Sequence, residues 1–209
     1  MTLNQILLDS AATLDLEATL PTGDELTLRI NYANQAVEDA AATYQFSELR
    51  ETYELGMTGT SVQLPSNFRE FYQQPRYLNS TVWTEIPLIE YEDKYDKGAS
   101  EVYGYILGNK ANNYYIYFNG LSSGVSLSMV YQRYPSGMAT LTDVCELPDP
   151  TFVTKKIESY VLYSRGDDRF QIAESRANNI LLNMVGREMK DSGGLGRDTK
   201  MKFTNPLGD

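Results

Sequence analysis

Two prolines separated by one residue, Leu147-Pro148-Asp149-Pro150, constrain this chain more than any other feature, because neither can lie inside a helix and the second fits the first turn of one. Asp149 is placed to cap by accepting from the first free backbone N–H groups. A helix is expected to start here, with Val153, Ile157, Tyr160, Val161 and Ser164 on one face and Lys155, Lys156, Glu158 and Arg165 off it. Gly166 suits the left-handed residue after a helix end, and Asp167 or Asp168 can cap the next helix. There Phe170, Ala173, Ala177, Ile180, Leu181, Met184 and Val185 keep the helical period as far as Gly193-Gly194. The expectation is an antiparallel helical hairpin.

Working forward from the N-terminus, Thr2 and Gln5 stand at capping-box spacing ahead of a short helix that fades near Leu14, and Thr22 with Glu25 repeats the device. The long helix after it shows an apolar edge of Leu26, Ile30, Ala33, Val37, Ala40, Ala41 and Tyr44, with Arg29, Asn34, Glu38 and Asp39 set away from it. From Arg50 the period changes to two. Tyr53, Leu55 and Met57 alternate with polar residues, and Thr58-Gly59-Thr60 reads as a hairpin turn into Val62-Gln63-Leu64. Ser66 or Asn67 is expected to open a helical turn carrying Phe68, Phe71 and Tyr72. Tyr77-Leu78 and Val82-Trp83 read as strand, and 87–96 as a loop or short helix. Val102–Leu107, Tyr114–Phe118 and the alternation of Val125, Leu127, Met129 and Tyr131 are strands, making about five in antiparallel order.

The expected class is therefore α+β: an antiparallel helical bundle with an inserted antiparallel β domain and an extended C-terminal arm. The divisions are 1–49 (first helices of the bundle), 50–146 (β insertion), 147–191 (C-terminal helix pair) and 192–209 (arm). At 209 residues and 42% hydrophobic content the chain can bury a core. No apolar run approaches a membrane span, and the N-terminus lacks the order of a secretory signal, so synthesis in the cytosol is expected. A single Cys145 and no histidine leave no thiol cluster for zinc and remove the commonest general base, so no metal, cofactor or catalytic residue is assigned. A net charge of −10 opposes an electrostatic grip on DNA and suits a surface past which DNA slides.

Five segments in order, Asn31-Tyr32-Ala33-Asn34-Gln35 leading to Tyr44-Gln45-Phe46-Ser47-Glu48-Leu49, then Leu64-Pro65-Ser66-Asn67-Phe68, Tyr131-Gln132-Arg133-Tyr134-Pro135, and Leu147-Pro148, resemble the head-to-tail adaptor (connector) proteins of tailed bacteriophages. The likeness covers about residues 20 to 190, and Phe46 stands where such families usually place tryptophan. It implies a structural virion protein of the neck or tail, a dodecameric ring beneath the portal protein. The ring would meet a downstream nozzle or tail-tube protein and enclose the DNA channel for genome retention and ejection. It also implies a portal-gripping arm, whose matching positions carry Arg197, Lys200, Lys202 and Phe203; the residues alone equally allow an idle terminus.

Tyr103, Tyr105, Tyr115 and Tyr117 crowd one expected hairpin. They suit a tail-partner or subunit interface, a carbohydrate-stacking site, or ordinary cross-strand packing. Glu85, Glu90, Glu92, Asp93 and Asp96 are dense enough to pair as a glycoside hydrolase would require, although a charge run more commonly forms a solvated face. A glycan-binding module and a cell-wall hydrolase are thus the alternatives to the adaptor.

Overall fold

Helices from before and after a β insertion pack on each other in the computed structural model, which describes residues 1–191. The described chain is mixed α+β, with four α-helices and two antiparallel sheets. One unit comprises Met1–Glu48 with residues 135–191, and the other is Leu49–Tyr134. The arm residues Arg197, Lys200, Lys202 and Phe203 lie outside the described residues.

The helical unit contains α1 (Leu3–Leu14), α2 (Gly23–Thr43), α3 (Thr151–Ser164) and α4 (Phe170–Asp191). The Thr2 hydroxyl accepts from Gln5 N at 3.4 Å, as the capping spacing predicts. Thr22 occupies the corresponding position of α2 but makes no side-chain cap, and the Glu25 carboxylate that would complete the box accepts instead from Arg29 Nε at 2.8 Å. Before α3 the Asp149 carboxylate accepts from Thr151 N and from the Thr151 hydroxyl, and Pro150 is the capping residue itself. After α3, Gly166 takes φ +67° while Asp167 N reaches back to Leu162 O at 3.0 Å, closing the helix end.

The helix α3 packs against α1, α2 and α4, so it is buried on more than the one face expected: Phe152, Thr154 and Ser159 join Val153, Ile157 and Val161 inside. Two residues assigned to the polar side are also interior. Arg29 is 1% exposed and Glu158 is 2% exposed, the first answered by Asp15 and Glu25 and the second by Lys155 at 2.7 Å. Buried charge is tolerable here because each group has a close opposite partner. The segment 135–146, grouped with the β insertion by sequence, belongs with the helices. Its Met138 and Cys145 enter the helical core, Leu3 N donates to Asp143 O at 2.8 Å, and both Asn34 amide atoms clamp Met138.

The β unit holds β1 (Arg50–Gly56), β2 (Ser61–Gln63), β3 (Phe68–Phe71), β4 (Arg76–Asn79), β5 (Val82–Glu85), β6 (Tyr103–Asn109), β7 (Asn113–Asn119) and β8 (Ser126–Arg133). One sheet runs β1-β8-β4-β5, with β3 also on β8, and the other runs β2-β7-β6. Both contribute to one core around Val62, Ile116, Phe118, Leu127, Met129 and Tyr131. Three expectations fail. The described residues form eight strands rather than about five. The stretches on either side of Thr58-Gly59-Thr60 do not form a hairpin, since β1 pairs with β8 and β2 with β7. Phe68–Phe71 is a strand rather than a helical turn, and its register shift on β8 between Phe68 and Glu70 explains why Phe68 and Phe71 meet at 4.9 Å despite their helical spacing.

Candidate functional site

The three-stranded sheet places its tyrosines by register. Pairing of β6 with β7 sets Tyr105 opposite Tyr117, Leu107 opposite Tyr115 and Tyr103 opposite Asn119. Pairing of β7 with β2 adds Ser61 and Gln63 beside Tyr117 and Tyr115. Directly paired residues point to the same side, so all four predicted tyrosines share one face, while Ile116, Phe118 and Val62 alternate to the core. Tyr105 and Tyr117 stack at 5.3 Å with their planes 6° apart. The Tyr115 hydroxyl lies 3.4 Å from the Gln63 side-chain oxygen. Tyr103 departs from the group: it is buried, with its hydroxyl directed at Lys94 O, and acts as a support rather than a contact.

A 3-10 turn, Glu92–Asp96, completes the face with residues the sequence reading missed. Tyr91 meets Tyr105 edge-on at 5.5 Å, and the Lys94 ammonium sits 3.6 Å over the Tyr91 ring, 4.9 Å from Tyr95 and 5.4 Å from Tyr105. A cation over aromatic faces is attracted by their quadrupole. Hydrogen bonding with Lys94, and secondarily with Tyr95, lowers the Tyr91 hydroxyl from its ordinary value, and the same bond to Tyr91 raises Lys94. The available signal was Tyr91, Lys94 and Tyr95 at three-and-four spacing, hidden within a run that reads first as acidic.

Glu85 forms an ion pair with Arg76 at 2.9 Å on the β4–β5 hairpin, and Glu90, Glu92, Asp93 and Asp96 are solvent-exposed. Among the described residues no group of three or more Asp, Glu, Cys or His side chains is placed to hold a metal ion. Nor is any described helix long and apolar enough to cross a membrane. Chemically, the tyrosine face offers flat π surfaces, a cation and hydroxyl and amide groups at its margin, which is recognition chemistry for a sugar ring or a protein side chain. No family model matches the chain, and no curated protein matches it.

Proposed function

We propose that this chain is a structural head-to-tail adaptor of a tailed bacteriophage virion. Its copies form a ring, dodecameric as the resembled family implies, between the portal and the downstream tail protein. The ring encloses the DNA channel for genome retention and ejection, and it transforms no substrate. The observation that carries the reading is the order of the elements along the chain. A bundle of helices from before and after it carries a continuous β insertion, Leu49–Tyr134, and ends its described part on the α3–α4 hairpin, from which the segment with Arg197, Lys200, Lys202 and Phe203 continues. Net charge −10 supports passage of DNA without adhesion. Ring closure makes each contact after the first intramolecular, so weak subunit contacts suffice.

The test is electron microscopy of the purified chain mixed with a candidate portal protein. A closed annulus coaxial with the portal is expected, and removal of 193–209 is expected to abolish it without shifting thermal unfolding. Absence of any annulus over a wide concentration range rejects the adaptor, and an annulus formed by the truncated chain rejects the role of the arm.

The half-buried Tyr105–Tyr117 stack favours a second reading, a tail-associated glycan-binding module. Tyr105→Ala separates the two. Under the glycan reading it weakens binding of the isolated protein to cell-surface polysaccharide about fivefold, a stacked ring contributing about 1 kcal/mol, whereas the adaptor reading requires no such binding at all.

A further inference from the structure

The helix α4 turns Ala173, Ala177 and Met184 into the helical core, and its opposite side has a repeat of its own. Ile172, Ser175, Asn179, Leu182, Gly186 and Met189 follow one another at alternating spacings of three and four, the period of a seam that receives another helix. Ile172 is 56% exposed, Leu182 52% and Met189 37%, a large apolar content for a solvated stripe. Open space lies over Gly186, where an added Cβ would meet nothing, so a neighbouring helix can approach closely. The seam is about 25 Å long at the helical rise. At its first turn it adjoins a cavity of about 230 Å³ between α1, α3 and α4, with apolar walls from Leu14, Leu162 and Ile172 and with Arg176 among its lining residues.

The basic charge beside this seam is one-sided. Arg176, Arg187 and Lys190 are exposed and fall on a single flank, while the other flank carries Gln171 and Asn178 and, farther from the seam, Glu174 bonded to Lys156 and Glu188 bonded to Ser47. Two copies of α4 packed antiparallel would set the basic row against itself, since like flanks face each other in that arrangement. Packed parallel, they would set it against Gln171 and Asn178, with the acidic Glu174 and Glu188 of that flank already engaged by Lys156 and Ser47. A complementary surface exists on α2, where Asp24, Leu28, Asn31, Gln35, Glu38 and Ala42 recur at the same spacing and are exposed. Its charges there are acidic only, and Arg29, the one basic residue of α2, is buried. The two helices are separated by α3, which packs on both.

We propose that the outer face of α4 docks on the outer face of α2 of a second copy of this chain. The contact is heterologous, using a different face on each copy, and contacts of that type propagate to a closed ring when the rotation closes. One helix seam buries less than a stable pairwise interface requires, so single contacts are weak and the assembly depends on closure. The inference rests on the adaptor reading only for the claim that the ring closes at a portal.

Mixing Asn31→Cys chains with Leu182→Cys chains and adding a short bismaleimide tests it, the buried Cys145 being sheltered from the reagent. Cross-linked dimer is expected in the mixture and in neither chain alone. Arg176→Glu with Arg187→Glu should reduce the yield several-fold, and Asp24→Lys with Glu38→Lys in the other chain should restore it. Self-linking of Leu182→Cys, no product in the mixture up to the solubility limit, or loss without restoration each overturns the proposal. Portal decoration is scored separately. Annuli that form without the cross-link reject the seam and spare the adaptor, and chains that cross-link yet never decorate a portal do the reverse.

Discussion

The helical and β units solve the same problem, burying enough surface, by opposite routes. The helical unit gathers one long core from distant parts of the sequence, Leu3 and Ile6 beside Phe152, Ile157 and Met184, and draws charged groups inside it. Arg29 links α1 to α2 through Asp15 at 2.6 Å and Glu25 at 2.8 Å, while Arg165 at the end of α3 reaches the same two carboxylates at 3.3 and 3.6 Å. The β unit builds a smaller apolar core from a single stretch and spends its polar and aromatic side chains on an outer face. Charge is thus fully interior in one unit, at Arg29 and Glu158, whereas in the other it lies at the margin of the core, as in the Arg133–Glu51 pair, or on the surface.

Truncations in the two cores test this contrast most severely. Phe152→Ala should cost about 3–5 kcal/mol and Ile116→Ala about 2–4 kcal/mol, both being fully buried. Trp83, the only tryptophan, lies on β5, so its fluorescence reports the β unit while helical circular dichroism reports the other. If Phe152→Ala displaces both signals equally, the units melt as one cooperative block and the contrast holds for packing only. Arg29→Met should cost less, about 1–3 kcal/mol, because the carboxylates it leaves are partly solvated and keep Arg165. A neutral result in thermal melts would mean that the buried guanidinium contributes no net stability.

The smallest effect is on acid stability. Burial pushes Asp15 upward, but Arg29 and Arg165 outweigh it and hold the carboxyl below its ordinary value. Bonds from Thr140 and Ala139 lower Asp143, and Arg169 lowers Asp167 to about 2. Depressed carboxylates stabilise the folded state above their unfolded value, and that contribution is lost as pH falls through the folded one. All three belong to the helical unit. Its circular dichroism should therefore lose thermal stability as pH drops from about 4 towards 2, and Asp167→Asn should blunt that dependence slightly.

Local signals made the helical unit legible. Gly166, the Asp149–Pro150 pair and the apolar period of α4 are each written within a few residues, and α3 and α4 form as they indicate. The period alone could not reveal Arg29 as interior, because its partners include Asp15 at the end of another helix. Strand existence was readable from alternation, whereas partnership was not: β1 finds β8 more than seventy residues away, with Glu51 opposite Tyr131, although a turn-like triplet invites a nearer partner. At the tyrosine face, the pattern located Tyr105 and Tyr117 but not Lys94, whose role depends on where the 3-10 turn lies in space.

The pairing of Arg50 with Gln132 brings the first and last strands of the β unit side by side. A stretch whose two ends already touch behaves as an exchangeable cassette, because replacing it asks the host helices only to bridge a gap one strand wide. Surface loops and strands could then be exchanged wholesale while the bundle keeps its own packing, and a protein engineer could graft there for the same reason.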